Sequence, residues 1–275
     1  MSEIRFLYAT DLHGDEQKYN DLFDFAIEHE IGLIHLGADL LPKGSHLEKI
    51  QKKFLKGFLK QFYERCSANN IKLLCFFGND DIYRYKEHFR EYGSLLNEDP
   101  QNINGYNFIA YQYVPDYPFP LCDACKYDYD GWEPEPYDGK KIIMSEKGRV
   151  VLDNPSEYFK QKGTIQQDLD NIHAFDNTII SIHTPPSGLN LDVCGGFGPI
   201  RRVGSLSVHN WIKREQPLLV LCGHIHESHN VTGFWKAELG NTLVIQPGQR
   251  YGKTIMVMIE ITNGNIKSYL IEKKQ

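Results

Sequence analysis

Five short polar clusters carry side chains that could do chemistry together. They are Asp11-Leu12-His13-Gly14, Gly37-Ala38-Asp39, Gly78-Asn79-Asp80, His183-Thr184-Pro185-Pro186 and Gly223-His224-Ile225-His226. They offer carboxylates, imidazoles and a carboxamide, all hard or borderline ligands for a divalent ion. Taken singly, each is weak. Asp-x-His occurs by chance, a lone histidine such as His183 is more often a satisfied core or loop residue, and Gly-Asn-Asp is usually a turn. Gly-His-x-His is more specific. In Asp11/His13 and His224/His226 the spacing places both side chains on one side of an extended backbone, and Gly37, Gly78 and Gly223 would let the chain turn tightly beside them. Order raises the set above its parts, because every cluster follows an apolar run that reads as a strand.

Those runs must position the clusters. Ile4 to Ala9 reads as the first strand, and Glu16 to His29 then shows helical spacing through Tyr19, Leu22, Phe23, Ala26 and Ile27. Leu33 to Leu36 is a second strand, Leu47 to about Cys66 a long helix, Ile71 to Phe77 a third strand and Tyr83 to Tyr92 a shorter helix. Further strands are expected at Phe108 to Val114, Lys141 to Met144, Thr178 to His183 and Leu218 to Cys222, with helices at Thr164 to His173 and Gly204 to Glu215. Leu243 to Gln246, Thr254 to Ile261 and Ile266 to Ile271 form a strand-rich tail, with Asn263-Gly264 as a hairpin signal. Strands alternating with helices predict an α/β architecture with a partly parallel sheet, and the carboxyl ends of such strands form the rim where ligands bind.

The 275 residues suit one large domain or two small ones, and we read one domain over 1–275 with a Pro-, Tyr- and Asp-rich insertion at about 114–140. A chain of this size can fold without a metal, so a metal here points to catalysis and not to a structural staple. The formal charge of -6 argues against a dedicated nucleic-acid binder. Lys52, Lys53, Lys56 and Lys60 on one helical stretch read as a solvated face before they read as a basic patch. The N-terminus reads as a strand and not as a signal peptide, and no apolar run approaches the roughly 18 residues of a membrane helix. Cysteines this sparse make no disulfide framework, and Cys75 and Cys222, inside apolar runs, read as buried thiols. A reducing, cytoplasmic compartment is the expectation.

The ordered set DLH, GAD, GND, HTPP and GHIH resembles the calcineurin-like metallophosphoesterase superfamily, whose pattern runs Asp-x-His, Gly-Asp, Gly-Asn-His, His and Gly-His-x-His; here it spans 11 to 226. The stretch from Ser181 to Glu227 is similar to a smaller branch of phosphodiesterase-like members. Gln246-Pro247-Gly248 sits where the superfamily usually has an Asn-Pro-Gly turn. The resemblance implies a four-layer αββα sandwich of two mixed sheets flanked by helices. It also implies that Asp11, His13 and His226 hold one metal, that Asn79, His183 and His224 hold a second, and that Asp39 bridges them. Such a donor set suits Mn, Fe or Zn better than Mg or Ca, and a carboxylate bridge lets two ions sit about 3.5–4 Å apart. The implied reaction is hydrolysis of a phosphodiester (a cyclic nucleotide or another small diester) or a phosphomonoester by a metal-bridging hydroxide. Rival readings are a non-catalytic scaffold, which would be expected to have lost ligands, a DNA nuclease, which the acidic charge disfavours, and a protein phosphatase, for which no basic peptide groove is evident.

Asp80 departs from the pattern. It stands where the superfamily usually has a histidine that stabilises the transition state or protonates the leaving oxygen. A carboxylate beside two cations should be ionised and a poor acid. Asp80 is then a partner that orients a ligand, or an acid if desolvation raises its pKa, or a bystander. In that last case the acid comes from His88 or the 114–140 insertion, or none is needed. Arg201 and Arg202, after Gly195-Gly196-Phe197-Gly198, could clamp a phosphate or be ordinary surface arginines. Cys122-Asp123-Ala124-Cys125 has the spacing of half a zinc site, but with no matching second pair it reads as two loop cysteines. Tyr127, Tyr129, Trp132 and Tyr137, interleaved with acidic residues, form either a lid that stacks on a nucleobase or a cover for the sheet edge. Their acidic neighbours favour a small, weakly charged diester.

Overall fold

The apolar runs pair into two six-stranded sheets in a computed structural model that describes residues 3–195 and 199–275. Met1 and Ser2, and Gly196, Phe197 and Gly198 of the glycine-rich segment, lie outside the described residues. From edge to edge, the first sheet contains Asn265–Lys274, Lys253–Thr262, Glu3–Ala9, Leu33–Leu36, Lys72–Cys75 and Ser94–Leu95. Its strands are parallel from Glu3–Ala9 onward and antiparallel in the C-terminal hairpin. That hairpin turns at Asn263 and Gly264, both with positive φ, as the Asn-Gly signal requires. The second sheet runs Lys236–Leu239, Thr242–Ile245, Leu219–Leu221, Thr178–Ile182, Tyr106–Tyr111 and Gln101–Ile103, with parallel inner strands and antiparallel edges.

The alternation of side chains along a strand builds the layers. Phe6 and Tyr8 point between the sheets with Phe108, Ile179, Leu219 and Leu221. Leu7 and Ala9 point the other way, onto Tyr19, Leu22 and Phe62 of the helices. On the far face of the second sheet Ile180, Ile182 and Val220 pack against Leu169, Val208 and Trp211. The order is helices, sheet, sheet, helices, the expected four layers. Inner strands are buried on both faces and therefore read as unbroken apolar runs.

Differences from expectation are local. The helix from Leu47 runs to Ala68, but Leu55–Leu59 is wound as π-helix, and Phe54, Phe58 and Phe62 all stay against Tyr19. The strand expected over Phe108 to Val114 stops at Tyr111, and Val114–Pro115 pairs instead with Cys125–Lys126. The helix expected at Thr164 to His173 is only Ile165–Leu169, started by a Thr164–Gln167 capping box. The strand expected at Lys141 to Met144 is Ile142–Ser145, whereas its hairpin partner Gly148–Val151 and a helix at Pro155–Lys162 were not foreseen. Together with the insertion they make a small apolar centre of Val114, Cys122, Cys125 and Phe159. Among the described residues no helix is long and apolar enough to cross a membrane.

Two buried polar residues hold the site-bearing rim. The Asp81 carboxylate accepts the backbone N–H of Leu40 (3.2 Å), Leu41 (2.8 Å) and Gly78 (3.0 Å), tying the loop after Leu33–Leu36 to the loop after Lys72–Cys75. His35 lies between the sheets, its Nε2 3.0 Å from Ser181 Oγ of the other sheet. Burial pushes its imidazole down to about 3 from 6.5.

We expect Asp81→Ala to strand three buried N–H groups and to lower the unfolding free energy by about 3 kcal/mol or more; a loss under about 1 kcal/mol in urea titration would remove the clamp from the account. For His35 the sign is fixed by its depressed folded value. The unfolded chain takes up a proton below pH 6.5 that the folded chain refuses. Its stabilising contribution is present above that pH and is lost as pH falls toward 3, at up to about 1.4 kcal/mol per pH unit. Urea titrations from pH 8 to pH 5 should show a shallower decline in His35→Gln than in the natural chain, and equal slopes would refute the assignment.

Candidate metal centre

Backbone contacts join the first two clusters before any side chain is considered. The N–H groups of Asp11, His13 and Gly14 donate to the carbonyls of Ala38 (2.9 Å), Asp39 (3.0 Å) and Leu40 (2.8 Å). On the second sheet the N–H of Gly223 donates to His183 O at 3.0 Å. The Gln246 side chain donates to the carbonyls of Gly223 (3.3 Å) and Ile225 (2.6 Å), so the Gln246-Pro247-Gly248 turn supports the last cluster.

The backbone of the clusters is not extended, which corrects the spacing argument. Asp11, His13, Asp39 and His224 have φ of 56°, 46°, 56° and 69°. This left-handed region costs a non-glycine residue roughly 1–3 kcal/mol and is met most often at functional sites. The three glycines also act otherwise than expected, since none of them has a left-handed φ. Each makes room: a Cβ on Gly78 would overlap the Asp39 carboxylate, and one on Gly223 would sit 2.6 Å from Asp11 Oδ2.

The result is convergence. Among the described residues the ligand atoms of Asp11, His13, Asp39 and His226 lie within 4.8 Å of one another, and so do those of Asp39, His183 and His224. Asn79 Oδ1 is 3.0 Å from His183 Nε2, which is 3.4 Å from Asp39 Oδ2. His226 Nε2 lies 3.4 Å from Asp11 Oδ1 and 2.9 Å from His13 Nε2. The Asp11 carboxylate also accepts the backbone N–H of His224 at 3.0 and 3.1 Å, and Asp39 that of Asp80 at 2.9 Å.

The ionisation states suit a cation. Burial alone would raise both carboxyls, but the neighbouring imidazoles, His226 for Asp11 and His183 for Asp39, hold them below the usual carboxylate range. Burial pushes His13 and His224 down to about 3, leaving their nitrogens unprotonated as metal ligands must be. His183 goes up despite its burial, because the Asp39 charge draws a proton to it. Two imidazole nitrogens facing each other at 2.9 Å, as in His13 and His226, repel unless a proton or a shared cation relieves them. The donor set therefore fits divalent ions.

The remaining candidates are sorted by their contacts. Asp80 lines the pocket, and its side chain pairs with Lys43 Nζ at 2.5 Å. Its carboxyl is raised to about 6, by burial first and then by the Asp39 charge, with Lys43 opposing. His88 is not among the pocket residues: it sits on the Lys86–Tyr92 helix with its ring beside Tyr85 and stacked on Tyr92. Arg201 lines the pocket but is paired with Glu135. Arg202 does not line it and is tied to Asp192 and Asn190. The aromatic wall of the pocket comes from Tyr117 and Phe119, and none of Tyr127, Tyr129, Trp132 and Tyr137 lines it. Tyr127 packs on Trp132 and Phe159, whereas Tyr117 stacks on the His224 ring (5.4 Å between centroids) and Phe119 meets it edge-on.

Cys122 and Cys125 are buried, not loop-exposed, and converge with Asp116, which Lys141 neutralises. Sequence reasoning missed Lys43, Tyr117, Phe119 and Asp81. Only Asp81, the second acid of Gly78-Asn79-Asp80-Asp81, carried a signal at the right place.

No protein-family model and no curated protein matches the chain. Solved structures do. The chain is similar to TT1561 of Thermus thermophilus, with 17% identity, a TM-score of 0.53, and 97% of this chain and 98% of that one covered. It is also similar to a dimetal phosphatase from Danio rerio, with 10% identity, a TM-score of 0.52 and 98% of each chain covered. At such identities the likeness is one of fold. The two mixed sheets and their flanking helices are those of the metallophosphoesterase fold.

Proposed function

We propose that this protein is a phosphoesterase that works with two divalent metal ions and prefers phosphodiesters. The observation that carries the reading is the Asp39 carboxylate, which belongs to both groups of converging ligand atoms. Asp11, His13 and His226 would hold one ion, Asn79, His183 and His224 the other, with Asp39 between them. Carboxylate and imidazole donors suit Mn, Fe or Zn. Ions so held supply Lewis acidity toward a phosphoryl oxygen and lower the pKa of water. Likeness of fold to a dimetal phosphatase supports the reaction class. Fold alone carries no substrate.

The chain's own side chains do the rest. Asp80 acts as the orienting partner: its carboxylate holds the Lys43 ammonium at the mouth of the pocket, where that ammonium can donate to a phosphoryl or leaving oxygen. Tyr117 and Phe119 brace the His224 ring and cover it from water. The pocket, about 370 Å³, admits a small ester. Both of its cations already have carboxylate partners, Lys43 with Asp80 and Arg201 with Glu135, and Glu227 adds a further acid. Little unmatched positive charge remains for the second charge of a monoester, which favours a monoanionic diester. We read the whole chain as one domain, and the buried thiols of Cys66, Cys122, Cys125 and Cys222 suit a reducing compartment such as the cytoplasm.

Metal analysis should give close to two equivalents per chain, and added Mn should support hydrolysis of bis(p-nitrophenyl) phosphate faster than of p-nitrophenyl phosphate. Asp39→Asn should lose metal and at least about a hundredfold in kcat. A folded protein with less than one equivalent and no metal-dependent turnover would instead be a scaffold. Lys43→Met should keep its metal yet lose about tenfold in kcat/KM on the diester; a change under twofold would leave Lys43 with no part in the reaction.

A further inference from the structure

A second cleft, about 830 Å³, adjoins the metal pocket and shares Lys43, Asp80 and Phe119 with it as common wall. Its inner lining is apolar, with Leu47, Leu121, Ile142 and Met144 beside Phe119. Lys49 and Lys52 of the Leu47–Phe54 helix and Arg149 of the Gly148–Val151 strand also line it, all three of them exposed. The acids of this cleft are already matched, Glu48 by Arg84 and Asp80 by Lys43. Lys49, Lys52 and Arg149 have no carboxylate partner among the described residues. A solvated helix face accounts for lysines on one element. It does not account for unmatched cations that reach one hollow from two elements far apart in the chain.

Resting on the dimetal reading of Asp39, we propose that this cleft receives one ester group of the substrate, and that this group is an apolar body carrying a further anionic group. The charge of the scissile phosphate falls to the metal pocket and to Lys43, so the three unmatched cations next door answer to a charge elsewhere on the substrate. The apolar lining sets the rest of the chemistry, because a bare second phosphate would gain nothing from Leu47, Leu121 or Met144. A nucleoside bearing an additional phosphate has both properties, with a flat ring that Phe119 can meet. The divided lining also explains how an acidic protein takes a multiply charged substrate: the excess acid surrounds the metals, and the free base lies one ester group away.

The test compares two esters with the same scissile bond and the same leaving group, p-nitrophenyl thymidine 5′-phosphate and its 3′-phosphorylated counterpart. Both are assayed with Mn at low ionic strength, on the natural chain and on a Lys49→Ala, Lys52→Ala, Arg149→Ala triple variant. We expect kcat/KM to favour the 3′-phosphorylated ester by about tenfold in the natural chain, the ratio to approach one in the variant, and the preference to shrink as salt rises. Equal turnover of the two esters by the natural chain, or a preference that survives the triple substitution, overturns the cleft proposal and leaves the dimetal reading standing. Metal-dependent turnover of neither ester overturns both.

Discussion

Two carboxylates buried where the sheets meet, Asp11 and Asp39, are the constraint around which the rest of the molecule is arranged. An ionised carboxylate removed from water is tolerated only with hydrogen bonds and opposite charge close by. The backbone supplies part of this through the N–H groups of His224 and Asp80. Presenting them has a cost, because the loops must enter the left-handed region at four non-glycine residues. Gly78 and Gly223 follow from the same demand, since a side chain at either would occupy the space of a carboxylate oxygen. The imidazoles complete the shell: burial keeps those of His13 and His224 unprotonated, while the Asp39 charge draws a proton to His183, so the charge of Asp11 and Asp39 is only partly met from within. Divalent ions would balance the rest, and their binding to the folded chain alone would offset the strain of the loops.

That local excess organises the charges further out. Lys43 is drawn toward the rim by Asp80 and also feels Asp39; although burial pulls the other way, its ammonium is held above its ordinary pKa. Arg201 is pinned by Glu135 across the mouth of the same pocket. Both cations of the metal-site pocket are thus spoken for, while Lys49, Lys52 and Arg149 of the adjoining cleft have no carboxylate partner among the described residues. A surface of net negative charge can in this way hold a graded field, cation-attracting at the cluster of Asp11 and Asp39 and anion-attracting one step outward.

The fold was legible for a physical reason. Inner parallel strands are buried on both faces, so Thr178–Ile182 and Leu219–Leu221 appear as apolar runs that stop at polar turns, and Asn263-Gly264 marks its hairpin by backbone preference alone. Gly148–Val151, largely exposed, carries no such pattern, and the π-wound Leu55–Leu59 keeps the apolar spacing of a plain helix. In the candidate site, the seven side chains that converge could be picked out because strand ends deliver them. How they meet could not, because left-handed φ at Asp11 or His13 depends on tertiary hydrogen bonds that no neighbouring residue announces. Lys43, Tyr117 and Phe119 were invisible for the same reason, and Tyr127, which drew attention, packs between Trp132 and Phe159.

The seven candidate donors come from both sheets, four from the first and three from the second, and this makes the seam between the sheets part of the site. Asp11, His13, Asp39 and Asn79 follow strands of the first sheet, while His183, His224 and His226 follow strands of the second. Their spacing therefore depends on how the two sheets sit on each other, which an apolar interface of Phe6, Phe108 and Leu219 leaves free to slide by small amounts. Directional contacts remove that freedom. The Tyr8 hydroxyl donates to Cys222 O at 3.0 Å, one residue before Gly223-His224, and His35 meets Ser181 at 3.0 Å, two residues before His183. Each polar contact crosses the seam just behind a pair of donors, at a depth where water does not compete. The dry core brings the sheets together, and these buried hydrogen bonds give it the register that convergent ligands require.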